Sequence, residues 1–235
     1  MTEKNHGILT GCDSQHEWML KWWWKNYSKT NTYPVTFIDF GMTEGAKSWC
    51  KQRGNVLALA KNTSKTPPPC ASPFALLKRQ VWLSKPEALL KTPYEKTIWI
   101  DIDADVKQPL TGLFHLCPED TLALCPELFF RQEAEKEANL IPKDAVSFNT
   151  GVIVYPAKAP ILALWADAAN QTQALGDQDL LSRLIFEKKL RVKKLPSHFN
   201  RIHPALDDPD VVIYHYASQM GQSTLLEKLQ IGGRT

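Results

Sequence analysis

Thr97-Ile98-Trp99-Ile100-Asp101-Ile102-Asp103-Ala104-Asp105 is an almost wholly apolar run that ends in carboxylates. Its lack of polar alternation up to Ile100 predicts a central strand buried on both faces. In open α/β sheets the ligand site lies beyond the carboxyl ends of the strands, which is where the acidic end of this run falls. Read as extended chain, Asp101, Asp103 and Asp105 alternate onto one side. Charges crowded in that way are driven toward protonation unless a cation neutralises them. Carboxylate oxygens suit Mg²⁺ or Mn²⁺, and such ions complete their shells with water and substrate phosphates, so a nucleoside diphosphate is the natural partner. Solvated carboxylates at a strand end are the plain alternative. Three of them directly after a buried strand favour the metal.

The flanking sequence supplies the sheet around this strand. Gly7-Ile8-Leu9-Thr10 is a short apolar run that stops at Gly11-Cys12-Asp13-Ser14 and gives way to helical spacing from Gln15 to Tyr27. Leu20, Trp23, Trp24 and Tyr27 recur at that spacing and read as an aromatic core face. A strand over Tyr33 to Phe40, a helix from Glu44 to Arg53 closed by Gly54, and a strand over Val56 to Leu59 follow. Alternation with connections too long for hairpins implies parallel strands in a doubly wound α/β sheet. Lys61 to Pro73, with three consecutive prolines, reads as an irregular functional loop. The helix from Phe74 to Leu83 carries the cations Lys78 and Arg79, facing either solvent or phosphate. Further strands are expected at Thr121 to Leu124, Val152 to Tyr155 and Val211 to Tyr214. Helices are expected from Arg131 to Asn139, around Ile161 to Ala168, and after Gly176.

Composition bounds the class. With 235 residues, 43% hydrophobic and 23% charged, the chain has the balance of one globular domain over 1–235. The 28 basic against 25 acidic residues leave a net charge of +3, too small to make nucleic acid or a membrane surface the main partner. No stretch approaches the roughly 20 apolar residues of a spanning helix, and the polar opening leaves no room for a signal peptide. The five cysteines, odd in number and without Cys-x-x-Cys spacing, read as reduced thiols in a cytoplasmic protein and not as a zinc site.

The block from Thr97 to Val106, followed by Pro109-Leu110 and Leu113-Phe114, resembles the metal-binding block of the glycogenin-like, family 8 glycosyltransferases. Four more blocks stand in the family's order: Phe148-Asn149-Thr150-Gly151-Val152-Ile153-Val154-Tyr155, Gly176-Asp177-Gln178-Asp179-Leu180-Leu181, Leu195-Pro196-Ser197-His198-Phe199-Asn200, and Val212-Ile213-Tyr214-His215. The resemblance covers nearly the whole chain. It implies a GT-A, Rossmann-like nucleotide-diphospho-sugar transferase fold, an α/β domain with a mixed central sheet flanked by helices. It also implies a retaining transferase that moves a hexose from a UDP-sugar with manganese, or magnesium, to a glycan, lipid-linked sugar, protein or small-molecule acceptor.

By that resemblance Asp101 and Asp103 coordinate the metal and His215 is the third ligand; a neutral imidazole suits Mn²⁺ on independent grounds, although a lone His is commonly structural. Thr10, Gly11, Cys12 and Asp13 match the loop that receives base and ribose, and Ile102, Lys78, Asn149 and Thr150 match other donor-binding positions. Bland readings stand beside these: a βα turn, a solvated lysine, an Asn that shapes the turn before a strand. Asp177 and Gln178 match residues that grip the donor sugar and flank its anomeric carbon. Asp177 extends the buried stripe of its helix at the first turn, where a polar residue needs a purpose, capping being the simplest one.

The chain departs from the family where Lys-Pro-Trp is expected after the His215 block; Gly221-Gln222-Ser223 stands there, and the diphosphate-clamping lysine is missing. Lys228 or Arg234 are candidates to replace it. Two competing readings follow. One is a haloacid-dehalogenase-like phosphatase with Asp101 and Asp103 as nucleophile and acid and Asp207-Asp208 as later metal carboxylates; Asp105 stands against it. The other is a nucleotide-sugar-binding protein without turnover. The basic run Lys188, Lys189, Arg191, Lys193 and Lys194 reads as an exposed helix end and edge strand.

Overall fold

The computed structural model describes residues 5–60, 62, 73–202 and 208–232. The expected loop at 61–73 therefore lies almost wholly outside the described residues, as do Asp207 and Arg234.

The first half of the chain alternates β1 (His6–Cys12), α1 (Leu20–Thr30), β2 (Val35–Asp39), α2 (Glu44–Lys51), β3 (Asn55–Ala58), α3 (Pro73–Leu90) and β4 (Lys96–Ile100). A one-turn 3-10 segment, Glu17–Met19, leads into α1. The second half adds β5 (Ala104–Val106), α4 (Thr111–His115), β6 (Ala123–Pro126), α5 (Phe129–Glu137), β7 (Phe148–Pro156), α6 (Pro160–Ala169) and α7 (Asp177–Glu187). It closes with β8 (Lys193–Lys194), β9 (Arg201–Ile202), β10 (Ile213–His215) and α8 (Ser218–Gly232). Helix α3 continues past the expected end at Leu83 with Pro86 inside it. Neither α4 nor α8 was expected from periodicity.

Seven strands form the main sheet in the order β3-β2-β1-β4-β7-β6-β8, and β5-β10-β9 form a smaller one. Strands β1, β2, β3 and β4 are parallel, as the alternation predicts, whereas β7 runs antiparallel to both β4 and β6. The parallel strands are those of the opening half, and with β7 the sheet is mixed, as the resemblance implies. Strand β1 has β2 on one side and β4 on the other, so the chain winds outward in one direction and returns to the opposite flank. The carboxyl ends of β1 and β4 thus make the crevice in which open α/β sheets bind ligands.

Alternation along the central strands divides the core. Ile8, Ile98, Ile100, Val152 and Val154 face one layer with α1 and the small sheet. Leu9, Trp99, Ile153 and Tyr155 face the other with α3, α6 and α7. The α1 stripe is packing, as read: Leu20, Trp23 and Tyr27 are buried, and Trp24 packs against them. Trp23 stacks on Tyr27 at 5.1 Å and meets Phe37 of β2 edge-on at 6.3 Å. Replacing Trp23 by Ala is expected to cost about 3–5 kcal/mol by urea denaturation; a loss under about 1 kcal/mol would show that this stripe does not fasten α1 to the sheet.

Candidate active site

Strand β4 leaves its pairing with β7 at Ile100, and β5 begins to pair with β10 at Ala104, so residues 101–103 form a corner between two sheets. Backbone bonds fix it: Asp101 N–H donates to Gly151 O at 2.8 Å, Ala104 N–H to Asp101 O at 3.0 Å, and Tyr216 N–H to Asp103 O at 3.0 Å. The corner corrects the reading of three carboxylates on one extended edge. Asp101 and Asp103 come together, whereas Asp105, inside β5, is buried elsewhere and pairs with Lys107 at 3.0 Å.

Strand β10 brings the third group, because His215 is the register partner of Ala104. Its Nε2 lies 3.3 Å from Asp103 Oδ1 and 3.8 Å from Asp101 Oδ2. One ligand atom from each of Asp101, Asp103 and His215 falls within 4.8 Å of the others. Gly151 makes room for the ring: a Cβ there would stand 2.0 Å from His215 Cε1. Two carboxylates and an imidazole, all facing one point, are a donor set that fits Mn²⁺ or Mg²⁺.

The three groups set one another's charge. Burial alone would push Asp103 up, yet the facing imidazole, with hydrogen bonds from His215 and Gln222, holds it down at about 2. Asp101 is raised, by burial first and then by the charge of Asp103, despite Lys85 beside it. Burial works against a charged His215, but Asp103 and Asp101 raise it nonetheless.

Lys85 was missed in the sequence. It lies two helical turns beyond Lys78, a spacing that puts both on one side of α3 and could have revealed it. Its ammonium is buried, 3.0 Å from Asp101 Oδ1 and 3.1 Å from Asp177 Oδ2, and donates to Thr150 O at 3.2 Å. Burial works against its charge, yet the two carboxylates hold it above the usual lysine range. Trp99 Nε1 also donates to Asp101 Oδ1, at 2.6 Å.

Most of the remaining predicted residues converge on this corner. Asp177, Gln178, Asn149, Thr150 and Lys78 line the cleft around it, together with Lys85, Arg131 and Glu135. Gly11, Cys12 and Ile102 line an adjoining hollow that shares Lys78, Asp101 and Asp103 with the cleft. Thr10 and Asp13 line neither; Asp13 accepts from Gln15 N–H and pairs with His16 at 2.6 Å, so it shapes the turn. Asn149 and Thr150 lie inside β7, not in a turn before it. Asp177 is no cap: Asp179 accepts from the Gly176 and Leu175 N–H groups, while Asp177 receives Thr150 Oγ1 at 2.7 Å. Burial pushes the Asp179 carboxyl up to about 6. Arg79 donates to Ala174 O and Thr172 O, a structural role.

No protein-family model matches the chain, and no curated protein matches it in sequence. Solved structures do match. The galactosyltransferase LgtC, determined with donor and acceptor sugar analogues, is 18% identical with a TM-score of 0.57, over 91% of this chain and 87% of that one. Mouse xyloside xylosyltransferase 1 gives 15% identity and a TM-score of 0.56 over 89% and 97%. The glycosyltransferase GlyE of Streptococcus pneumoniae TIGR4 gives 17% and 0.61 over 92% and 55%.

This is the GT-A fold. On it the candidate site occupies the crevice at the β1 and β4 ends. The departure noted after His215 also has a structural form: Gln222, in the first turns of α8, donates from Nε2 to Asp103 Oδ2 at 2.9 Å and accepts from Lys78 at 2.7 Å. Lys228 is instead bonded to Tyr216 Oη at 3.2 Å. Asp208 is tied to Arg201 and to the Asp210 N–H, so the carboxylate needed by the phosphatase reading is engaged away from this corner.

Removing the buried cation leaves Asp101 and Asp177 uncompensated. Lys85→Met is therefore expected to destabilise the protein by about 3–5 kcal/mol in chemical denaturation, and a variant as stable as the wild type would show that the two carboxylates do not depend on this ion pair.

Proposed function

We propose that the chain is a metal-dependent, glycogenin-like glycosyltransferase that moves a hexose from a UDP-sugar to an acceptor with retention of configuration. The observation that carries this reading is the convergence of Asp101, Asp103 and His215 at the ligand crevice of a GT-A fold. The galactosyl and xylosyl transferases of similar fold support the reaction class.

Asp101, Asp103 and His215 would hold the metal, which when bound would draw charge from the departing diphosphate. Gly11 and Cys12 stand where backbone can approach a base and ribose closely. Lys78 reaches the Asp103 corner from α3 and supplies the cation that the missing Lys-Pro-Trp lysine would bring, with Gln222 holding it there. Asp177, fixed by Lys85 and Thr150, and Gln178 face the space for the donor sugar. Positive charge growing on the ring as the leaving group departs is stabilised by those oxygens. A cytoplasmic setting suits the free thiols at Cys12, Cys50, Cys117 and Cys125; no described helix is long and apolar enough to cross a membrane.

The test is nucleoside diphosphate release from a panel of nucleotide-sugars with Mn²⁺. A UDP-sugar is expected to be turned over, and Asp103→Asn or His215→Ala to slow release by about two orders of magnitude or more. UDP-sugars that are neither cleaved nor bound by the wild type would end the proposal.

A further inference from the structure

The side chain of Glu127, just beyond β6, joins the metal-site histidine to Gln178. It is 3% exposed, drew no notice in the sequence, and does not line the cleft. Its Oε1 accepts from the Leu128 N–H at 2.8 Å, and its Oε2 accepts from Asn149 Nδ2 at 2.9 Å and Gln178 Nε2 at 3.1 Å.

Toward the metal site, hydrogen-bond polarity is fixed at every link. Gly151 N–H can only donate, and it meets Asn149 Oδ1 at 2.9 Å, so that atom is the oxygen and the amide nitrogen faces Glu127. Asn200 Nδ2 donates to the same Asn149 oxygen at 2.8 Å, which turns Asn200 Oδ1 toward His215 Nδ1 at 3.0 Å. An oxygen there requires Nδ1 to carry the proton. With Nδ1 committed to Asn200, Nε2 is the ring nitrogen that faces Asp101 and Asp103 and that a metal ion would take in place of a proton. Asn149, Asn200 and His215 are all buried, so water does not substitute for a lost partner without cost.

Toward the donor, Gln178 Nε2 donates to Glu127 and also to Glu135 Oε1 at 2.9 Å. Both hydrogens of the amide are committed, and rotating it by half a turn would set its carbonyl against two carboxylates. Gln178 therefore presents only its carbonyl oxygen to a ligand, an acceptor for a sugar hydroxyl or a base facing positive charge.

We infer that Glu127 is a positioning residue that orients His215 and Gln178 together, so that one buried carboxylate sets both the nitrogen offered to the metal and the oxygen offered to the donor sugar. The assignment of those two roles rests on the glycosyltransferase reading; the orientation itself does not. A carboxylate is required because all three of its partners donate. A glutamine would turn its own NH₂ against at least one of them.

The experiment uses metal-free ¹⁵N-labelled protein, with the His215 imidazole N–H and the Gln178 amide pair assigned from His215→Ala and Gln178→Ala. Glu127→Gln, nearly isosteric, is expected to shift both signals and speed their exchange with water. Asn200→Ala should move only the imidazole proton, and Glu135→Gln only the Gln178 pair. Mn²⁺ binding followed by electron paramagnetic resonance should weaken about 10-fold or more in Glu127→Gln and Asn200→Ala but not in Glu135→Gln. If Glu127→Gln does not fold, Glu127→Asp, which withdraws the charge by one methylene, is read in the same way. Either Glu127 variant, folded and with both signals unmoved, overturns the inference. A wild type that takes no Mn²⁺ overturns the metal reading, while the two signals still judge the network.

Discussion

A buried ammonium cannot stand without carboxylates, nor these carboxylates without it, and Lys85 is where that mutual requirement organises the molecule. It links Asp101 at the end of β4, Thr150 in β7 and Asp177 at the start of α7 from a position on α3. Four elements from distant parts of the chain are thus held to one charge in a water-poor crevice, where Coulomb attraction is strong and an unmatched ion is costly. Asp103 is left to His215 and Gln222, so the corner's two carboxylates have different partners and different proton affinities.

The elements that periodicity could reveal were legible. The apolar run ending at Ile100, the α1 stripe and the α7 stripe with Leu180, Leu181 and Leu184 all sit in the core as read. Convergence of Asp101, Asp103 and His215 agrees with the family resemblance. Strand direction was not legible from periodicity, because the Val152 to Tyr155 run of β7 is apolar and a strand buried on both faces reads the same whichever way it runs; the mixed sheet was implied by the resemblance alone. Asp105 was misplaced because alternation assumes extended chain, and the chain turns at residues 101–103 to change sheets. Glu127, Glu135 and Asn200 carry no periodic signal; their roles come from tertiary hydrogen bonds. Helix α8 was missed for a related reason, since its buried contacts are few and its polar residues work at the crevice.

The residues after His215 carry a polar bridge across the crevice. Gln222 stands near the start of α8, and Lys78 of α3 meets it at the Asp103 corner. Gln222 contributes by having both a donor and an acceptor on one amide, which lets it bridge a cation and an anion at once.

The corner at residues 101–103 belongs to two sheets, and the strand that completes it lies near the far end of the chain. A nascent or truncated polypeptide lacking β10 would carry the two aspartates without their imidazole partner. Bringing His215 to the aspartates closes a loop of more than a hundred residues, which local structure alone does not accomplish. The pocket therefore exists only once β10 has docked on β5, and it registers that the two sheets have closed on each other.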